Sequence, residues 1–262
     1  MYAEHVMTDI TISDFCVEDI NCRRCSGNAP VVLIIGSRGK GKSTIARALM
    51  RSMRMIPMGA VFSATEGSSP FYSENVPHLF IYNSLDLNAM KKLVASQQKS
   101  ENRKDVFVLI DDMMYDPQFL RNPVVKSIFL NGRHWGITLL LTTQYAIDVP
   151  PALRGNVDYV FMMRENNIQT CAKLYKNFGG SFPTVALFNQ AFKACTQDFG
   201  SMVIDFVNDS VHRYRVDIDA EKEPFQMFAP CVWRYAKAHT CTSASERDVL
   251  MDGSNCRILI NK

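Results

Sequence analysis

Val31-Val32-Leu33-Ile34-Ile35-Gly36-Ser37-Arg38-Gly39-Lys40-Gly41-Lys42-Ser43-Thr44 runs five apolar residues straight into a loop with three glycines, and an amphipathic stretch over 45–53 follows. The pattern predicts a strand, a phosphate-binding loop and a helix, in that order. Gly36, Gly39 and Gly41 let the backbone fold tightly enough for successive N–H groups to face phosphate oxygens, reinforced by the positive end of a helix starting near Lys42. Lys42 is expected to bridge the β- and γ-phosphates and the Ser43 hydroxyl to ligate Mg²⁺, with Ser37, Arg38, Lys40 and Thr44 completing the cradle. The bland alternative is a glycine-rich turn with an accidental Lys-Ser. The strand before it and the helix after it favour the nucleotide reading.

Outward from this loop, short β-branched runs alternate with helical patterns, the rhythm of a parallel sheet with crossover helices. Strands are expected at about 31–35, 59–63, 78–82, 106–110, 137–142 and 157–162. Helices fall at 42–54, 86–99, 118–133, 167–177 and 184–195, before two more strands near 201–207 and 211–217.

The run 106–110 ends in Asp111 and Asp112, where such a fold needs its acidic motif. Asp111 is expected to hold the Mg²⁺ shell and Asp112 to orient and polarise the attacking water, against the plainer reading of a solvated strand end. Two strand candidates lie between Lys42 and Asp111, so strand order is not readable, but an acid directly after the metal Asp favours the class with an additional strand between loop and acid. The strand 137–143 ends in Gln144, an amide able to donate to a phosphate oxygen and accept from water, and so to act as a γ-phosphate sensor.

The composition is that of a globular chain: 262 residues, 47% hydrophobic and 21% charged. A net charge of +3 excludes a protein that coats nucleic acid by electrostatics alone, so DNA contact must be local. No apolar run reaches the 18 or so residues of a membrane span, and the acidic N-terminus lacks a secretory pattern. Eight scattered cysteines fit reduced thiols and an intracellular setting. Residues 1–28 read as an N-terminal extension, 29–217 as the core, and 218–262 as a tail or cap.

The segments IIGSRGKGKST, VLIDDMMYDP and above all NGRHWGITLLLTTQYAIDVPPALRGNVDYVF resemble the poxvirus-type genome-packaging ATPases of nucleocytoplasmic large DNA viruses, within the FtsK/HerA superfamily. The likeness covers about residues 30–217. It implies an α/β, RecA-like additional-strand P-loop fold, with a mostly parallel sheet flanked by helices on both faces. It also implies ATP and Mg²⁺ as cofactors, a homo-oligomeric ring (pentamer or hexamer), double-stranded DNA as track, and a capsid or virion-assembly protein as partner. The setting would be host cytoplasm at viral assembly sites, and the virion.

On the same resemblance Lys42 and Ser43 serve the phosphate loop, Asp111 the metal, Asp112 the acid/base step and Gln144 the sensor. Cellular pumps usually carry Glu where Asp112 stands. The shorter side chain requires either a closer water or a shifted strand end. Ring ATPases complete each site with an arginine from a neighbouring subunit. Arg133 and Arg154 are the candidates, each weighed against an ordinary surface arginine. A hexameric helicase and a nucleotide-dependent assembly scaffold remain competing readings.

Other features carry bland readings beside sharper ones. Arg47, Arg51 and Arg54 form one helical stripe, a solvated face or a surface for DNA or a neighbour. Lys99, Arg103 and Lys104 lie on a polar loop that could reach a neighbour's phosphate. Cys16, Cys22 and Cys25, with His239 and Cys241, invite zinc without specifying a fourth ligand. Phe71-Tyr72 is either a DNA-contacting pair or folds back onto the core.

Overall fold

A computed structural model describes residues 11–100, 104–113, 119–145 and 149–239. The chain enters through a two-residue strand β1 (Ser13–Asp14) and helix α1 (Glu18–Cys25). Then β2 (Val31–Ile35) delivers the phosphate loop to α2 (Lys42–Ser52), followed by β3 (Met58–Ser63) and β4 (Ile81–Tyr82). Next come α3 (Leu87–Lys99), β5 (Val106–Asp111), α4 (Pro123–Asn131) and β6 (Ile137–Thr143). A one-turn α5 (Pro151–Arg154) precedes β7 (Tyr159–Met163), and α6 (Ile168–Phe178) and α7 (Val185–Cys195) pack before the hairpin β8 (Ser201–Asp205) and β9 (Ser210–Tyr214). Two short helices, α8 (Ile218–Glu221) and α9 (Pro230–Ala238), close the described chain.

The strands form one sheet in the order β1-β9-β8-β7-β2-β6-β5-β3-β4, parallel except where β8 pairs antiparallel with β7 and β9. Every residue of β2, β5, β6, β7 and β8 is buried. A strand buried on both faces must be covered by helices on both, which is why these runs are continuously apolar instead of alternating. The order answers what spacing left open: β6 lies between β2 and β5, so the additional strand separates the phosphate loop from the acidic strand.

Two expected elements differ. The helix expected over 118–133 is α4 alone, flanked by 3₁₀ turns at Phe119–Arg121 and Gly132–Trp135. Pro123 fixes the start, because the residue before a proline is driven out of the helical region, and Asn122 caps Val124 N–H at 3.0 Å. The strand expected over 78–82 is a 3₁₀ turn at His78–Phe80 followed by the short β4.

The flanks pack onto the sheet. Phe15 meets Tyr159 and Phe161 edge-on, with centroids 5.7 and 5.4 Å apart, and Arg23 pairs with Asp158 at 2.5 Å. Met227 and Phe228 are buried, Met227 N–H donates to Asn75 O at 2.8 Å, and Asn75 Nδ2 donates to Phe225 O at 2.9 Å. Among the described residues no helix is long and apolar enough to cross a membrane.

Candidate nucleotide site

The phosphate loop leaves β2 between the C-terminal ends of β6 and β7, with Ile35 in register with Thr143 and Met162. Gly36 N–H donates to Thr143 O at 3.1 Å. A Cβ on Gly36 would stand 2.6 Å from Met163 Cβ and Cγ, so β7 can approach only a glycine there. Gly39 and Gly41 hold φ of +75° and +93°, and Gly41 caps α2. Arg38 is exposed on the loop and Thr44 on the first turn of α2, while Lys42 is buried with Nζ 3.4 Å from Ser37 O. Burial pushes the Lys42 ammonium below its ordinary value, against the pull of the Asp112 and Asp111 charges. A phosphate arriving beside it would supply the counter-charge that this burial calls for.

Asp111 ends β5, and neutral donors hold its carboxylate. Oδ1 accepts from Thr142 Oγ1 at 2.5 Å, and Oδ2 accepts from Tyr72 Oη at 2.8 Å and from Ser43 Oγ at 3.3 Å. Mg²⁺ binds oxygens at about 2.1 Å, which puts adjacent ligands about 3 Å apart, and it keeps waters and phosphates in most positions. A hydroxyl and a carboxylate at this separation fit such an ion. Among the described residues no group of three His, Cys, Asp or Glu is arranged to hold a metal. A cation here therefore needs phosphate and water as co-ligands, the habit of a nucleotide-borne Mg²⁺.

Asp112 has φ of +51°, so the strand turns sharply there. Its N–H donates to Thr142 Oγ1 at 3.0 Å, and its Oδ1 accepts from Gln144 Nε2 at 2.8 Å. Asp is among the few non-glycine residues at home in the left-handed region, which gives a physical reason for Asp rather than Glu. Thr142 couples both acids, since one hydroxyl donates to Asp111 and accepts from Asp112.

Tyr72, Glu66, Thr142 and Glu165 are site residues that the motif reading did not single out as such. Tyr72 is 1% exposed and folds back onto the core, so of the two readings for Phe71-Tyr72 it takes the bland one, with a polar end on Asp111. Burial and the Asp111 charge push its phenol well above the ordinary value, so it stays a donor. Glu66, itself buried, shapes this loop by accepting N–H bonds from Phe71, Tyr72 and Ser73 at 2.9–3.0 Å. On the β7 side Ser37 Oγ donates to Glu165 Oε2 at 2.8 Å, while Asn166 and Asn167 N–H donate to Oε1 at 2.8 and 2.9 Å. Burial opposes ionisation of Glu165, but these bonds and the Lys40 charge outweigh it and hold the carboxyl below its usual range.

Arg133 and Arg154 are not brought to this loop. Arg133 sits in the turn before β6, and at about 3.3 Å per residue the seven residues of that strand put roughly 20 Å between its two ends. Arg154 precedes β7 at the same end of the sheet and donates to Val149 O at 3.1 Å.

The basic stripe is mostly internal. Arg47 and Arg51 pair with Glu221 at 3.1 and 3.4 Å and lie over the rings of Phe71 and Phe225, leaving Arg54 exposed. Cys16, Cys22 and Cys25 are exposed free thiols, and Cys241 lies outside the described residues, as does Arg103. Lys104 lies just before β5, at the end of the sheet away from the phosphate loop.

This fold and this site define a P-loop ATPase architecture of the additional-strand type. The chain has the fold of the genome-packaging NTPase B204 of Sulfolobus turreted icosahedral virus 2, solved in complex with ATPγS, at TM-score 0.55 and 16% identity, covering 72% of this chain and 98% of that one. The pCW3 conjugation coupling protein TcpA shares it at TM-score 0.52 and 15% identity, covering 80% and 66%. No protein-family model matches the chain. It is 38% identical over 180 residues to uncharacterized protein 075L of Invertebrate iridescent virus 6, covering 66% of this chain and 69% of that protein. It is 33% identical over 222 residues to uncharacterized protein 015R of Frog virus 3, covering 80% and 68%. The chain belongs to the family of these two viral proteins, and its fold is that of P-loop ATPases.

Proposed function

We propose that this protein hydrolyses ATP and uses the energy to drive double-stranded DNA into a viral capsid as a homo-oligomeric ring. The observation that carries the reading is the convergence of Lys42, the Ser43–Asp111 pair and the Asp112–Gln144 pair at one mouth, on the order β2-β6-β5. Lys42 and the loop N–H groups bind and orient the triphosphate. Ser43 and Asp111 would hold Mg²⁺ together with the phosphates, and the ion would there supply neutralisation of charge on the transferring group. Asp112 orients the attacking water and takes its proton. Gln144, whose Nε2 donates to Asp112, can exchange that acceptor for a phosphate oxygen, so its loop reports which state is bound.

Residues 29–217 form the catalytic unit in this reading, with 1–28 and 218–262 as additions. A guanidinium from a neighbour, Arg133 or Arg154, completes each site. A net charge of +3 per subunit makes DNA binding a property of the ring, where a few cations per subunit repeat along one track. Host cytoplasm at sites of virion assembly is the setting, with a capsid protein as docking partner.

The deciding experiment is steady-state ATPase with duplex, with single-stranded and without DNA. Duplex should stimulate several-fold and single strands should not. Indifference to duplex in every oligomeric form, at low and moderate salt, would reject translocation. Preference for single strands would favour a helicase.

A further inference from the structure

The catalytic groups all lie on one side of the phosphate loop, and this asymmetry says where the rest of the nucleotide must go. Asp111, Asp112 and Gln144 stand on β5 and β6, so a γ-phosphate facing them points that way. The α-phosphate and nucleoside then leave on the opposite side of β2, toward β7. The chain there is built against the loop: Met163 abuts Gly36, and two residues on Glu165 accepts the Ser37 hydroxyl. Directly beyond lies a cleft of about 310 Å³ between the segment after β7 and helices α6 and α7.

Its lining is mixed. Ile168, which is 84% exposed, and Phe192 give an apolar wall, and Arg164, Asn189 and Lys193 bring polar and cationic ends. Glu165 joins this cleft to the phosphate loop, since it lines the one and bonds the other. We infer that this cleft is the nucleoside subsite of the phosphate loop, taking a ribose at Glu165 and a planar base against Ile168 and Phe192. Three observations bear on it: the volume suits a base plus a sugar, and an exposed isoleucine beside polar groups is the lining that a stacked heterocycle uses. Thirdly, Glu165 Oε2 accepts from Ser37, and a carboxylate oxygen has a further lone pair for a sugar hydroxyl.

This inference rests on the phosphate loop binding a nucleoside triphosphate, and the test separates the two. Affinities for ATP and for inorganic tripolyphosphate are measured by calorimetry on the full chain and on two variants at exposed cleft positions, Asn189→Trp, which fills the space, and Ile168→Asp, which removes the apolar wall. Each should lower ATP affinity at least tenfold and leave tripolyphosphate affinity within about twofold, because only the nucleoside reaches the cleft. An unchanged ratio of the two affinities in both variants, whether both fall or neither does, would overturn the subsite. If the native chain binds neither ligand, it is the triphosphate reading that fails.

Discussion

The two ends of β6 could hardly differ more. At one, Thr142 accepts from Asp112 N–H and donates to the Asp111 carboxylate, which also accepts from a phenol and a serine, while the Asp112 carboxylate accepts from the Gln144 amide. At the other stand Arg133 and nearby Arg154, while the neighbouring acids Asp105 and Asp158 pair with Arg24 and Arg23 of α1. One end holds the acids of the candidate site and neither of these two arginines; the other holds the arginines. If subunits of the proposed ring meet end against mouth, each would complete its neighbour's site.

The strongest way to break this contrast is Asp112→Asn, which keeps shape and loses the proton acceptor. Turnover should fall about a thousandfold with ATP affinity nearly unchanged; rapid turnover would move the chemistry elsewhere. Next comes Arg133→Ala, with Arg154→Ala in parallel. One of them should lower turnover of the assembled protein about a hundredfold and leave ATP binding to the isolated subunit intact. Mixing that variant with Asp112→Asn protein should restore activity, since mixed interfaces unite an intact acid with an intact arginine. Absence of rescue for both would remove the trans role.

A smaller effect belongs to Tyr72→Phe, which deletes one donor to Asp111. The Mg²⁺ concentration needed for half-maximal nucleotide binding should rise about tenfold, with Mg²⁺-free binding unaltered. The smallest concerns Glu165. Its folded value is lowered, so the stability it lends is present above the ordinary carboxylate range and fades as pH falls through the lowered value. In Ser37→Ala, the Glu165 carboxyl titration followed by NMR should move upward.

Legibility followed distance along the chain. The phosphate loop is contiguous, so residues 36–44 declare themselves, and the buried strands announce their ends within about two residues. Asp111, Asp112 and Gln144 stand out in the sequence because they close apolar runs. Tyr72 reaches Asp111 across 39 positions and Glu165 reaches Ser37 across 128, and nothing local to either marks the contact. Strand order was illegible for the same reason, being a matter of pairing between distant runs. The Arg47/Arg51 stripe misleads in another way: its counter-charge, Glu221, arrives 170 residues later, so a face that looks solvated is an internal clamp.

That clamp bears on how the molecule can be handled. The obvious place to trim an expression fragment, just after β9, would strip the lid from Arg47 and Arg51, bare the seats of Met227 and Phe228, and cut Asn75 loose from Phe225. Asn75 closes the loop whose Tyr72 touches Asp111, so damage at the tail would surface as a lost appetite for magnesium.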